Sequence, residues 1–385
     1  MESALLWYKE LTGTLQEIGF LQNPTDPCIL NRTKKGVKTT VAVYVDDLLI
    51  LSNCRDDIAS LIDDLRAKYD EVKTTEGSKH NYLGMVIDLS SPPHITINQT
   101  GMVEDIISST KNAIIKVETG NSPLKKSPNL PKSPAAPYLF DIADNSMPLS
   151  DSLRVIFHSV VAKLIYISTR TRQDILTAVS FLAKHVLKPS EADWNKLART
   201  LGYLEKTKEQ SLTLGGELPI TIRTYIDASF AVHPDSKSHM GVCISLGTGC
   251  FYSKSTARRI NTTSSCQAEL VALAKGLQQS IFSAYFLEGQ GYSRPPIIVY
   301  QDNLSTIKLI ENGRSTSELT RHIKIGYFWV KDLVDRGLIS IMYCPTDMMI
   351  ADFFTKPLQG SLFEKMKGKI MGTYPYTAHA DINKI

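Results

Sequence analysis

Pro219-Ile220-Thr221-Ile222-Arg223-Thr224-Tyr225-Ile226-Asp227-Ala228-Ser229-Phe230-Ala231 reads as a β-strand with one carboxylate in its second half. Side chains alternate across a strand, so Arg223, Tyr225, Asp227 and Ser229 share one face and Ile222, Thr224 and Ile226 the other. Asp227 thus lies in a polar stripe on an otherwise apolar strand. Downstream, Met240–Leu246 and Cys250–Lys254 are strand-like around the turn Gly247-Thr248-Gly249. Ser264 or Ser265 opens a helix to about Glu288, and Pro296–Gln301 is a fourth, strongly apolar strand. Helical spacing returns at Ser305–Asn312 and Glu318–Arg336, the latter closed by Gly337 as a C-cap. Leu338–Cys344 is a fifth strand and Asp347–Phe354 a last short helix. The block is α/β, a five-stranded sheet with flanking helices.

Four carboxylates fall on these elements in the order strand, helix, strand, helix: Asp227, Glu269, Asp302 and Asp352. Leu270, Leu273, Leu277 and Ile281 form the buried stripe of the long helix. Ala272 and Gly276 beside it let helix and sheet approach, leaving room for Glu269 to reach inward. Asp302 ends Ile297-Ile298-Val299-Tyr300-Gln301, and sites in open α/β sheets gather outside strand ends. Singly, each acid has a plainer explanation: a turn former at Asp302, a dipole partner at Glu269, a surface residue at Asp352. Jointly, their order suits chemistry that needs carboxylates converging from separate elements. Two magnesium ions ~4 Å apart clamp the attacking and leaving oxygens of an in-line phosphoryl displacement. Magnesium takes oxygen ligands and keeps several waters, so a few carboxylates suffice.

The remaining chain suggests more than one domain, since 385 residues exceed one ordinary core. A hydrophobic content of 43% with 21% charged residues is that of a globular protein, and a net charge of +4 only weakly suggests a polyanionic partner. No stretch approaches the ~20 apolar residues of a membrane helix. Met1-Glu2-Ser3-Ala4 lacks a basic start, so secretion is not expected. The six cysteines show no close pairing and are expected to be reduced thiols in the cytosol. Residues 1–110 mix helix and strand patterns, with Val37–Val45 and Leu48–Ser52 flanking Asp46-Asp47 as a hairpin. Further strands are expected around Tyr82–Leu89 and His94–Asn98, and a short helix near Met102–Ser109. Residues 111–150 form a Pro-rich linker, expected to be extended or mobile. Residues 151–210 carry two helices, Ser152–Lys184 and Ala192–Lys206, with Ser190 or Asp193 capping the second. Residues 218–372 form the regular block, and a piece from about Leu212 to about Gly372 is expected to fold alone.

Thr224-Tyr225-Ile226-Asp227-Ala228-Ser229, Ser264-Ser265-Cys266-Gln267-Ala268-Glu269-Leu270 and Gln301-Asp302-Asn303 resemble the ribonuclease H domain of copia-type retrotransposon polyproteins. Thr320-Arg321-His322-Ile323-Lys324 and Ala351-Asp352-Phe353-Phe354-Thr355-Lys356-Pro357-Leu358 extend the likeness. Tyr44-Val45-Asp46-Asp47 between two apolar strands resembles the palm hairpin of reverse transcriptases. Trp7-Tyr8 upstream and Tyr82-Leu83-Gly84-Met85 downstream strengthen the likeness. Leu164-Ile165-Tyr166 and Thr171-Arg172-Gln173-Asp174-Ile175 resemble the family's helical connection, with Gln173 where proline is more usual. Integrase cores share the fold class but place their glutamate after both aspartates, unlike Glu269 before Asp302.

The resemblance implies a ribonuclease H-like sheet preceded by a truncated reverse-transcriptase palm and a helical connection. It implies magnesium- or manganese-dependent hydrolysis of the RNA strand of an RNA–DNA hybrid, leaving a 3′-hydroxyl. Asp227 would bridge both metals, with Glu269 and Asp302 helping hold one and Asp352 the other. Ser229, Asn303, Arg321 and His322 are candidate nucleic-acid contacts, and Asp46 and Asp47 a polymerase metal pair. The family's polymerase has a further metal-binding Asp on an earlier palm strand, after a fingers region. Met1 falls downstream of both, so primer extension by this chain alone is not expected. Two alternatives stand beside a hybrid-cutting nuclease: an inactive nucleic-acid-binding derivative, and a polymerase working with a missing N-terminal part. Expected partners are nucleic acid, other parts of a polyprotein or a second copy, without a membrane. The expected location is the cytoplasm, in a virus-like particle if the element is active, with a nuclear stage.

Overall fold

The computed structural model describes residues 2–69, 71–117, 131–141, 146–233, 236–258, 262, 264–312 and 321–374. They fall into two units, Met1–Leu83 with Ile281–Pro295 and Gly84–Ser280 with Pro296–Ile385.

In the first unit, helix α1 (Glu2–Glu17) is followed by strands β1 (Leu21–Gln22), β2 (Ile29–Lys34), β3 (Val37–Tyr44) and β4 (Asp47–Ser52). Helix α2 (Arg55–Lys68) and strand β5 (Lys79–Tyr82) follow. Strands β1 to β4 pair antiparallel in chain order. Leu11 and Leu15, one helical turn apart on α1, meet Leu30, Val41 and Val43 of the sheet and Leu61 and Leu65 of α2. The pattern is an amphipathic helix against a half-buried sheet, as its alternation requires. Asp57 is held by Arg32 at 3.0 Å and by the Thr39 hydroxyl, so this partly buried charge is paired.

The second unit opens with β6 (Met85–Asp88), β7 (Ile95–Asn98) and α3 (Thr100–Val117). Helices α4 (Asp151–Ser168), α5 (Leu176–Lys184) and α6 (Glu191–Lys206) precede β8 (Leu212–Gly216). Then come β9 (Ile222–Ser229), β10 (His239–Ser245), β11 (Gly247–Thr248), β12 (Tyr252–Ala257) and the long α7 (Ser265–Gly289). The chain continues through β13 (Ile297–Gln301), α8 (Leu304–Asn312), α9 (Arg321–Asp335), β14 (Ile339–Tyr343) and α10 (Gly360–Ile370). The main sheet runs β12-β10-β9-β13-β14. Its first three strands are antiparallel, while β13 lies parallel to both β9 and β14. A hairpin meander joined through its first strand to two parallel strands, with α7 in one crossover and α8 and α9 in the other, is the ribonuclease H-like arrangement. β6, β7, β8 and β11 form a smaller antiparallel sheet.

Two glycines set the depth of the layers. A Cβ on Gly276 would stand 2.7 Å from Ile226 and 3.0 Å from Val242, so α7 lies directly on β9 and β10. A Cβ on Gly241, the cross-strand partner of Asp227, would stand 2.5 Å from the Ala351 carbonyl oxygen. The backbone carrying Asp352 therefore passes over β10 where no side chain intervenes.

The structure departs from the sequence expectations at several places. The helix read as Ser152–Lys184 is broken into α4 and α5 at a turn holding Arg172 and Asp174. Arg172 forks onto Asp174 at 3.0 and 2.8 Å, and Tyr203 adds a bond of 2.8 Å, fully satisfying a buried ion pair. The strand expected at Tyr82–Leu89 is two strands separated by Leu83 and Gly84, both at positive φ. The helix near Met102–Ser109 runs from Thr100 to Val117. Of the Pro-rich stretch, residues 131–141 are docked: Ala135 and Leu139 pack on Ala178 and Phe181. Lys196 donates to the carbonyls of Leu139 and Asp141 there, and Gln359 to that of Ala135. Residues 118–130 and 142–145 of that expectation lie outside the described residues. Finally, Cys243 and Cys250 are joined in a disulfide rather than reduced, while Cys28, Cys54, Cys266 and Cys344 are free. The reason is the hairpin after β10, which folds back to bring residues seven apart to a Cα separation of 6.0 Å.

Candidate active site

The acidic cluster is built where β9, β13 and the start of α7 meet. Asp227 and Glu269 are buried, Asp302 is half-buried, and each offers an oxygen within 4.8 Å of the others. Each carboxylate is held by a neighbour. The Ala228 amide donates to Glu269 Oε1 at 3.2 Å, and Gln301 Nε2 donates to Oε2 at 3.2 Å. The hydroxyl of fully buried Thr355 donates to Asp227 Oδ2, and that of Thr346 to Asp302 Oδ2 at 3.3 Å. Ser264 caps α7 through the Gln267 amide, fixing the turn that presents Glu269.

Asp352 lies outside that group of three but within the field of Asp227 and Asp302, on a 3-10 turn, Ile350–Phe354, not the helix expected at Asp347–Phe354. All five residues of that turn are buried, so packing onto the sheet and not helix propagation shapes it. Its Oδ2 lies 2.7 Å from Lys356 Nζ. Its Oδ1 is buried with no hydrogen-bond partner, which leaves one carboxyl oxygen orphaned near the cluster. Ser255 donates to the Phe354 carbonyl at 2.7 Å and meets His239 Nε2 at 2.8 Å. Burial, with neighbouring His233, pushes the His239 imidazole down to about 3, so it acts as a neutral strut behind the turn.

Crowded acids resist ionisation. Burial first, then Asp227 and Asp302, raise the Glu269 carboxyl well above its usual range. Burial and Asp227 raise Asp302, and the same two causes push Asp352 up to about 7. For Lys356, burial opposes the charge, but the bond to Asp352 and the field of Asp227 outweigh it and raise its pKa. A carboxyl raised in the folded state stabilises the fold below its unfolded value near 4 and loses that contribution as pH rises through about 7. Asp352→Asn, measured with chelator, should therefore gain stability relative to the parent between pH 4 and 8, by roughly 1–3 kcal/mol. A difference in thermal unfolding that is flat across that range would show that Asp352 is not strained by its neighbours.

The other sequence candidates are placed as follows. Asn303 caps α8, its Oδ1 accepting from the Thr306 amide at 3.0 Å. Ser229 reaches the Thr355 carbonyl at 3.5 Å, at the rim of the cluster. The side chains of Arg321 and His322 lie outside the described residues. Asp46 and Asp47 are exposed at the β3–β4 turn of the first unit, with Val45 at φ 54° between Tyr44 and the pair. Trp7 Nε1 bonds the Val45 carbonyl at 2.9 Å. Among the described residues no third acid gathers with them as three do at Asp227. Sequence reasoning missed Thr355, Gln301, Thr346 and Gly241. Thr355 and Gln301 stood inside the quoted motifs, but their roles depend on contacts across the sheet.

No family model matches the chain. Over 366 residues it is 26% identical to the retrovirus-related Pol polyprotein from transposon TNT 1-94 of Nicotiana tabacum, covering 94% of this chain and 26% of that protein. It is 29% identical over 369 residues to the Pol polyprotein from transposon RE1 of Arabidopsis thaliana, covering 94% and 24% respectively. The transposon Ty1-GR1 Gag-Pol polyprotein of Saccharomyces cerevisiae is 23% identical over 385 residues, covering 96% and 21%. The chain thus spans about a quarter of the length of the curated relatives it matches. Among solved structures, RNase H1 from the archaeon Halobacterium salinarum aligns with 34% of this chain and 90% of its own, at 16% identity and a TM-score of 0.26. LC11-RNase H1 in complex with an RNA/DNA hybrid aligns with 35% and 93%, at 15% identity and a TM-score of 0.27. With its residues matched almost end to end, this chain is a homologue of the Pol polyproteins of plant copia-type and yeast Ty1 transposons.

Proposed function

We propose that this chain is a ribonuclease H that hydrolyses the RNA strand of RNA–DNA hybrids by two-metal catalysis. The observation that carries the reading is the meeting of Asp227, Glu269 and Asp302 within 4.8 Å, with the orphaned Asp352 oxygen beside them. Such a donor set fits magnesium or manganese: all ligands are hard oxygens, and the charge of four carboxylates needs cations to balance it. Asp227, Glu269 and Asp302 would hold one ion, and Asp227 with Asp352 a second. When bound, the ions would activate water and neutralise charge developing on the phosphate. The chain's own residues orient that chemistry. Thr355, Gln301 and Thr346 fix the carboxylate rotamers, the packed α7 and the Ile350–Phe354 turn restrict water, and the exposed edge at Asp302 admits the backbone to be cut. Choice of RNA would rest on 2′-hydroxyl contacts beside the scissile phosphate.

We read the β3–β4 hairpin as a polymerase-palm hairpin and propose that the chain acts within a larger polyprotein, in cytoplasmic particles with a nuclear stage. A labelled RNA–DNA hybrid incubated with purified protein should lose its RNA strand only with magnesium, each cut leaving a 3′-hydroxyl. Hybrid bound but uncut at saturating magnesium would replace the hydrolase with a binding protein.

A further inference from the structure

Lys356 follows the Ile350–Phe354 turn and is anchored by its own backbone, its amide donating to the Asp352 carbonyl at 2.9 Å. Its ammonium lies 2.7 Å from Asp352 Oδ2, yet the two side chains differ in exposure, 42% for Lys356 against 8% for Asp352. The lysine thus spans the wall of the cluster, with its inner side on a buried acid and the rest of the side chain open to solvent. Asp227 and Asp302 also lie within its field, so one fixed positive charge stands against three carboxylates. An ammonium has three donors and one of them meets Asp352, which leaves others for an anion arriving from outside.

Resting on the hydrolase reading above, we infer that Lys356 is a phosphate ligand for the nucleic-acid strand entering the site, and that its charge also weakens the cluster's hold on divalent ions. Both roles follow from one geometry. A cation at the rim attracts the polyanion, and the same cation repels metal from the carboxylates it faces. A lysine that only clamped the turn would produce neither effect.

The test uses the full chain and its Lys356→Met and Lys356→Arg variants, with Lys356→Gln as a second neutral variant should the methionine form unfold early. Manganese affinity is read by calorimetry, hybrid affinity by anisotropy in calcium at several salt concentrations, and kcat and KM in magnesium. Loss of the charge should tighten manganese binding at least about threefold, as one partly exposed charge interaction does. It should also raise KM about tenfold or more and lower the salt slope of hybrid binding by about one, the signature of one lost phosphate contact. Lys356→Arg should keep both properties near the parent. Unchanged manganese affinity and salt slope in the neutral variants would overturn the inference, even if kcat fell. If the parent does not cut hybrid at all, the hydrolase reading fails, while the manganese titration and salt slope still decide the role of Lys356.

Discussion

Asp227→Asn is expected to leave a folded protein whose hybrid cleavage falls by roughly a thousandfold or more. Asn matches Asp in size, so the buried site between β9 and the Ile350–Phe354 turn keeps its packing. What changes is charge. Asp227 is the one carboxylate whose field raises Glu269, Asp302 and Asp352 alike, which places it at the centre of the cluster. Removing it takes away the proposed shared ligand and relaxes the repulsion among the other three. Metal-free Asp227→Asn should therefore unfold at the same temperature as the parent or higher, while losing activity. That pairing distinguishes a functional carboxylate from a structural one, since loss of a structural acid would lower both. Cleavage by the variant above a few per cent of the parent, after host nuclease is excluded, would remove Asp227 from the catalytic assignment.

The main sheet was legible because its signals are local. Alternation in Ile222–Ser229, the apolar run Ile297–Gln301 and the small residues Ala272 and Gly276 each report a burial pattern within a few residues. Glu269 was legible for the same reason, since helical period places it beside the buried stripe of Leu270, Leu273 and Leu277. What was not legible depends on residues distant in the chain. Thr355 reaches Asp227 across 128 positions, and Gln301 reaches Glu269 across 32. Gly241 reads as an ordinary strand glycine until the Ala351 carbonyl lies over it. The break between α4 and α5 escaped because it rests on a tertiary pairing: Arg172 and Asp174 are each almost wholly buried against the other, with Tyr203 of α6 bonded to Asp174. Composition likewise misread residues 131–141, whose prolines suggest an open linker while Lys196, Thr200 and Gln359 bond their carbonyls.

The piece from Leu212 to Gly372, expected from its alternation to fold alone, should instead be molten or insoluble when excised. A single apolar cluster runs from the helices into the sheet layer. Phe157, Leu164, Ile167, Val179, Leu182, Trp194 and Leu204 share it with Tyr225, Tyr300, Phe353, Phe354, Phe363 and Met371. Polar ties cross the same boundary: Thr177 donates to the Phe353 carbonyl at 2.7 Å, and Gln173 to the Cys250 carbonyl at 2.7 Å. β8 would also lose β7, its partner in the smaller sheet. Each large apolar side chain uncovered costs about 1.5–3 kcal/mol. Exposing about five of them approaches 10 kcal/mol, within the 5–15 kcal/mol that holds a typical domain. The buried side of the Asp352 turn would be uncovered at the same time, so activity should vanish with structure. A fragment covering residues 84–374 keeps the helices and should unfold cooperatively. Thermal and near-ultraviolet dichroism scans of the two fragments decide the matter. A sharp transition in the shorter one would show that the sheet and its own helices carry enough core without α4, α5 and α6.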